Sequence, residues 1–292
     1  MIETEFKSEI DIAVLSDIHS NHVALQACID YLRERKINKL IFLGDYVSNC
    51  AYPQKTMQII YALMKDYTCW FIRGNREELL IKHADGSNDG WHVPSTSSGS
   101  ILYTYNNLKE TDIDFFRNMK SSDILDISGL PRLALCHGNM DSAMGVINQT
   151  NAEKFFEQFQ TSLILCGHTH KSGCKEYEYG KVVNAGSVGT PVNGNGNAEV
   201  VIIHGSASGW IEEFVTVPFD RMEVVKELDE SGLIEQSKMF GRMIRDLLTT
   251  NQDRWNEVLN LAKQICEQET GNAKDAMDDK YLEKAAAVLG IE

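Results

Sequence analysis

Five short apolar runs punctuate the first 170 positions, and each gives way to a polar fragment. Ile12-Ala13-Val14-Leu15 leads to Asp17-Ile18-His19, Leu40-Ile41-Phe42-Leu43 to Gly44-Asp45, and Trp70-Phe71-Ile72 to Gly74-Asn75. Leu133-Ala134-Leu135-Cys136 leads to His137-Gly138, and Leu163-Ile164-Leu165-Cys166 to Gly167-His168-Thr169-His170. Short runs rich in branched and aromatic residues, stopped by Gly or Asp, predict buried strands. Between the first two, Val23, Ala24, Ala27, Cys28, Tyr31 and Leu32 recur at helical spacing, which predicts a helix to about Arg35 capped by Ser20 or Asn21. Pro53 opens a second helix, with Met57, Ile60, Tyr61 and Met64 on one face. Strand and helix alternate, so the expected class is α/β.

The stretch 83–100 breaks the pattern. It is rich in Gly, Ser, Asn and Asp around Trp91 and His92, and reads as a long loop, a lid over a site, opening an insertion at about 84–120. Helical segments follow at 100–108 and 112–119, then strands at 122–127 and 132–137 and a helix at 152–158. From 174 the expected strands are antiparallel, at 174–179, 181–184, 198–204 and 210–217, separated by turns at Gly180, Gly194-Asn195-Gly196 and 205–209. After Pro218 the pattern is helical, at 221–228, 234–248, 253–266 and 275–289. This divides the chain into a domain at 1–218 and a C-terminal helical extension at 219–292. Trp255, Val258, Leu259, Ala262, Ile265 and Cys266 form an apolar stripe, read as core or as a homodimer contact.

Composition narrows the picture. The chain has 292 residues, 43% of them hydrophobic, enough for one large domain with an appendage. A net charge of −14 argues against a broad nucleic-acid surface but leaves room for a small phosphorylated substrate in a cleft with local cations. Seven cysteines without a CxxC pair read as small buried hydrophobes of a reducing compartment. Positions 1–9 carry no signal-peptide pattern, and no apolar run approaches membrane-spanning length, so a soluble cytoplasmic protein is expected.

Imidazole and carboxylate groups at five strand ends are the ligand types that borderline divalent cations prefer. The ordered series Asp-x-His, Gly-Asp, Gly-Asn, His-Gly and Gly-His-x-His, with Asn184-Ala185-Gly186-Ser187-Val188-Gly189 after it, resembles the calcineurin-like metallophosphoesterase superfamily over roughly residues 10–217. The resemblance implies a four-layer α/β/β/α sandwich of two mixed sheets, with the ligands on loops at one end. It also implies two divalent metal ions. Asp17, His19 and His170 would hold one, Asn75, His137 and His168 the other, and Asp45 would bridge them. Phosphoester hydrolysis would then run by in-line attack of a hydroxide held by both ions. Three oxygen donors and four histidines suit Mn, Fe or Zn and suit Ca poorly.

Taken singly, each of these seven residues is a capping or turn residue at a strand end; jointly that reading is improbable. One position departs from the family pattern. Many members carry His after the Gly-Asn pair, where this chain has Arg76. Arginine keeps its charge, so it cannot protonate a leaving group, but it can clamp a phosphate. The competing reading is a surface ion pair with Glu77, Glu78 or another nearby acid. His22 reads as a solvated helix-start residue, and Gly186-Ser187-Val188-Gly189 as a tight turn rather than a phosphate cradle. The expected function is hydrolysis of a small phosphomonoester or phosphodiester, with Asp45 and Arg76 the catalytic residues. The alternatives are a phosphoprotein phosphatase, a dinucleoside polyphosphate hydrolase and a non-catalytic metal-binding scaffold.

Overall fold

The computed structural model describes residues 9–87, 89–192 and 195–291. Positions 1–8, read for a signal peptide, and Gly194 of the expected 194–196 turn lie outside the described residues. Two five-stranded mixed sheets pack face to face. In the first, β1 (Ile10–Leu15), β2 (Lys39–Phe42) and β3 (Thr68–Phe71) run parallel, with Val14 opposite Ile41. β9 (Ala198–Ser206) lies antiparallel beside β1, and β10 (Gly209–Val217) closes that edge. In the second, β4 (Ser122–Leu125) pairs antiparallel with β5 (Leu133–Cys136), and β5 pairs parallel with β6 (Leu163–Cys166).

The expectation of a wholly antiparallel region after 174 is corrected at one strand. β8 (Gly180–Asn184) lies parallel to β6, with Asn184 opposite Cys166, while β7 (Gly173–Tyr177) takes the edge, antiparallel to β8. Burial explains the order. Val182 and Val183 of β8 are buried, whereas Cys174, Lys175 and Glu176 of β7 are exposed, so the apolar strand fills the inner slot.

The central strands are apolar on both faces. Ile12 and Val14 of β1 meet Leu133, Leu135, Leu163 and Leu165 between the sheets. Ala13 and Leu15 face the other way, toward α1 (His22–Glu34) and α2 (Pro53–Asp66). Ala134, Cys136 and Ile164 pack under α6 (Gln149–Phe159) through Phe155 and Phe156. The result is the four-layer α/β/β/α order. Asn21 rather than Ser20 caps α1, its Oδ1 accepting from the Ala24 N–H at 3.0 Å. On α2 the buried face runs through Met57, Ile60 and Leu63, leaving Met64 45% exposed, because the stripe shifts by one residue at the 3.6-residue repeat.

Residues directly after Gly74, which had no assignment, form α3 (Asn75–Ala84). α4 (Gly99–Asn106) and α5 (Glu110–Arg117) follow close to their expected places. The 84–100 segment is anchored: Trp91 stacks on His83 at 4.4 Å, and Ser95 N–H donates to the Gln236 carbonyl at 2.8 Å.

The C-terminal region comprises α7 (Arg221–Glu230), α8 (Leu233–Ser237), α9 (Met239–Thr250), α10 (Trp255–Thr270) and α11 (Asp279–Leu289). The single helix expected at 234–248 is broken at Lys238, whose φ is +48°. The α10 stripe is covered within the chain, with Val258, Ala262 and Cys266 packed on Tyr281, Leu282, Ala285 and Ala286, so the face that suggested a dimer is already used. Val224, Leu228, Ile244 and Leu248 share a core with Cys50 and Tyr103 of the sandwich, so the extension is packed onto it. No helix of the described residues is long and apolar enough to cross a membrane.

Candidate metal centre

The polar fragments meet because the parallel strands of both sheets end at one rim. Asp17 and His19 follow β1, Asp45 follows β2, Asn75 follows β3, His137 follows β5, and His168 and His170 follow β6. Backbone hydrogen bonds lace these loops together. Asp17 N–H donates to Gly44 O at 3.1 Å, His19 N–H to Asp45 O at 2.9 Å, and Gly167 N–H to His137 O at 2.8 Å. Five of the seven residues have left-handed backbone: Asp17 (φ +53°), His19 (+51°), Asp45 (+53°), His168 (+68°) and His170 (+56°). Non-glycine residues held there are strained, and such strain gathers at functional sites.

The close approach of β2 and β3 depends on glycine. A Cβ on Gly44, at φ +98°, would lie 2.5 Å from Gly74 N and 2.9 Å from His137 Nδ1. Only two residues without side chains at this crossing let the Asp45 and Asn75 loops sit side by side.

The side chains converge on two adjoining points. At the first, Nε2 of His170 is 3.1 Å from Asp17 Oδ1 and 3.0 Å from Nε2 of His19. At the second, Nε2 of His137 is 3.0 Å from Asn75 Oδ1 and 3.5 Å from Asp45 Oδ1. Asp45 spans the two, its Oδ2 lying 3.8 Å from His19 Nε2. The His168 ring centroid is 5.1 Å from that of His137, half-buried at the second point. Two donor sets have ligand atoms all within 4.8 Å of one another, namely Asp17, His19 and His170, and Asp17, Asp45 and His137.

Hydrogen bonds fix the tautomers. His137 Nδ1 donates to the Leu43 carbonyl at 2.7 Å, and His170 Nδ1 to the Thr190 carbonyl at 3.0 Å. The Ser48 hydroxyl donates to Asn49 Oδ1 at 3.1 Å, which leaves its oxygen to accept from His19 Nδ1 at 3.2 Å. In their neutral forms all three imidazoles then present a bare Nε2 lone pair to the centre. Two such lone pairs 3.0 Å apart, on His19 and His170, repel unless a cation or proton lies between them. Asp17 Oδ2 accepts from the Ser16 hydroxyl at 2.6 Å and from His168 N–H at 2.9 Å, whereas its buried Oδ1 accepts no hydrogen bond. Buried polar atoms are normally satisfied, so an orphaned carboxylate oxygen facing imidazole lone pairs fits a metal ligand.

The electrostatics follow. Burial opposes the charges on Asp17 and Asp45, but the neighbouring histidines prevail. His170 and His137 hold Asp17 well below the carboxylate range, and His137 holds Asp45 at about 2. Burial likewise opposes a charge on His137, yet Asp45 and Asp17 lift it to about 10. His19 and His168 are lowered, chiefly by burial. Without a dication, the two carboxylates recruit protons onto His137 and His170 instead.

One residue that organises the site escaped sequence reasoning. Glu77 is buried in the first turn of α3 and accepts three backbone N–H groups, those of Asp45, Tyr46 and Gly74, each at 2.9 Å. It ties the two ligand loops together. Burial, then Asp45, pushes its pKa up to about 7, and the N–H groups pull against that rise. The available signal was an acid three residues after Gly74 at a helix start.

Arg76 forms an ion pair, with Asp45 rather than with Glu77 or Glu78. Its N–H donates to Asp45 Oδ1 at 2.8 Å, its Nε lies 3.9 Å from Asp45 Oδ2, and that buried Nε has no hydrogen-bond partner. It is Arg73 Nε that lies near Glu78, at 4.0 Å. The 186–189 turn has its N–H groups occupied, with Val188 and Gly189 donating to the carbonyls of Ser16 and Asp17 at 2.9 and 3.0 Å. It therefore braces the first ligand loop. His22 is engaged by Glu227 at 2.9 Å, away from the centre.

Known proteins resemble this chain in sequence and fold. An uncharacterised protein of Methanocaldococcus jannaschii, MJ0912, is 25% identical, with 77% of this chain and 94% of that protein covered. The hypothetical protein PH1004 of Pyrococcus horikoshii has a similar fold (TM-score 0.70, 20% identity, covering 80% of this chain and 97% of that one). So does a metallophosphoesterase of Sphaerobacter thermophilus (TM-score 0.60, 18% identity, covering 78% and 98%). The family model described as the calcineurin-like phosphoesterase superfamily domain matches residues 10–208, a span that contains all seven clustered side chains. With that match over most of the sandwich, the chain belongs to the calcineurin-like phosphoesterase superfamily, a family of metal-dependent phosphoesterases.

Proposed function

We propose that the protein hydrolyses a small phosphomonoester or phosphodiester at a dinuclear metal centre. Asp17, His19 and His170 would hold one ion and Asn75, His137 and His168 the other, with Asp45 shared between them. The observation that carries the reading is the convergence of three imidazole Nε2 atoms, of His170, His19 and His137, on the Asp17 Oδ1 at 3.1, 3.6 and 4.0 Å. Two divalent ions, Mn, Fe or Zn by the donor set, would supply Lewis acidity and an activated water there.

The chain's own residues do the rest. Arg76 clamps the substrate phosphate with its partly exposed guanidinium and stabilises the charge that builds on the phosphoryl oxygens. Glu77 holds the Asp45 loop against the Asn75 loop, so the spacing between the two halves of the centre is set before substrate arrives. Because guanidinium does not release a proton, the leaving oxygen takes its proton from water, and acidic leaving groups are favoured. A net charge of −14 disfavours long polyanions. Free cysteines throughout, with Cys174 exposed, fit a reducing cytoplasm.

The test is a panel of aryl monoesters and bis-aryl diesters run with Mn²⁺, Fe²⁺, Zn²⁺ and Ni²⁺. Turnover of at least one class, abolished by a chelator, supports the proposal. Silence with every metal, together with fewer than one bound ion per chain, would turn the assignment toward a metal-binding scaffold.

A further inference from the structure

Beside the metal centre lies a cavity of about 200 Å³ whose far wall is built by the C-terminal extension. Arg76 and His170 form its floor, and Phe240, Met243 and Trp255 form an apolar wall. We propose that this cavity receives the organic part of the substrate, and that the part it fits is an apolar group about one ring in size. The inference rests on the phosphoesterase reading, since it places the phosphate on Arg76 and the metal side.

The lining chemistry argues for an apolar occupant. Phe240 and Trp255 meet edge to face, with ring centroids 6.4 Å apart and an interplanar angle of 75°. That leaves aromatic surface turned to the cavity from two different helices. The size argues for one ring, because a roughly 150 Å³ cavity lined by Leu, Ile and Phe holds benzene. Charge argues against a second phosphate: Arg76, a cation of the lining, lies against Asp45 of the metal centre, and the exposed Asp253 adds a negative charge to the same lining. A polyphosphate reaching across would set like charges together.

The wall is also fixed in place. Arg254, the residue before Trp255, donates to both carboxylate oxygens of Asp246 on α9 at 2.9 and 2.5 Å, and to the Leu289 carbonyl at 3.1 Å. Met243 of α9 is packed into the core shared with α10 and α11, and Lys238, just before α9, pairs with Asp279 at 2.5 Å. A wall held this way presents its aromatic face without reordering on binding.

The experiment is calorimetry on the full-length, Mn²⁺-loaded protein with phenylphosphonate and methylphosphonate, which share the phosphoryl group and differ in the organic one. The expected result is that the phenyl compound binds about 10–100-fold more tightly. That ratio should collapse toward unity in Trp255→Ala and in Phe240→Ala, and survive in Trp255→Phe. Equal affinities in the wild type, or a ratio untouched by both alanine variants, overturn this inference and leave the phosphoesterase reading standing. If neither phosphonate binds the loaded wild type, the phosphoesterase reading falls and this inference with it.

Discussion

Arg76 is where this chain departs from its family's pattern, and its surroundings make the departure interpretable. Its Nε is buried, makes no hydrogen bond and lies in an ion pair 3.9 Å from the carboxylate proposed to bridge the ions. If it clamps phosphate without donating a proton, the rate should depend steeply on leaving-group acidity. Arg76→His should flatten that dependence by restoring an acid, and should weaken phosphate binding. A Brønsted plot over a series of aryl phosphates reads both, and an unaltered slope would refute the role. Glu77 makes the complementary case, because it touches no expected ligand side chain yet accepts from the backbone of both ligand loops. Glu77→Gln turns an amide N–H₂ toward backbone N–H groups, and metal affinity should fall about 10–100-fold, as when other groups that orient ligands are lost. Metal titration by calorimetry checks this, and wild-type affinity would mean that the loops hold themselves. The seven clustered residues were legible in sequence because each follows a strand. Glu77 was not, because its role appears only once α3 folds its first turn back over Asp45. Ser48 and Thr190, which fix His19 and His170, were equally hidden, since a hydroxyl or carbonyl behind an imidazole leaves no pattern in the chain.

Among the elements, the strand ends carry the site and the helices set its reach. β2 and β3 approach through Gly44 and Gly74 closely enough that a single added methyl has nowhere to go. Gly44→Ala should cost about 1–3 kcal/mol or more, as overpacking does in tight cores. It should also loosen metal binding, because Asp45 and His137 would be pushed apart. Urea denaturation and metal titration together test this, and wild-type values in both would contradict it. Strand positions were readable because β1, β2, β5 and β6 are apolar on both faces, so their runs stand out. The order of β7 and β8 was not, since the choice of inner strand depends on which one buries its valines. The break between α8 and α9 was hidden as well: Lys238 adopts φ +48° although nothing in its side chain favours that region. Yet α9, with Trp255, lines the cavity beside Arg76, and residues some 80 positions beyond the last expected ligand thereby reach the site.

For the whole molecule, the buried charges of the centre couple folding to pH and to metal. Asp45 is lowered from 3.8 to about 2, so its contribution is present above about pH 4 and is lost as pH falls through 2. His137 is raised from 6.5 to about 10, so its contribution is complete below 6.5 and is lost as pH rises toward 10. Glu77, raised from 4.5 to about 7, adds a loss across that interval in the same alkaline direction. The lowered His19 and His168 act the opposite way below about pH 6.5, so chelator-treated protein should lose stability steadily only as pH rises from about 6.5 toward 10. Excess Mn²⁺ should reduce or reverse the trend, because the ion replaces the proton on His137 and is itself held more tightly as pH rises. Denaturation midpoints at several pH values, with and without metal, would reveal a flat or rising metal-free profile if the charges were not coupled in this way.

The centre can be measured most directly by anomalous diffraction from crystals of the Mn²⁺-loaded protein. Two peaks about 3.5–4 Å apart are expected, with Asp45 between them, Asp17, His19 and His170 around one, and Asn75, His137 and His168 around the other. A single peak, or two peaks that leave Asp45 bound to one ion alone, would contradict the dinuclear account.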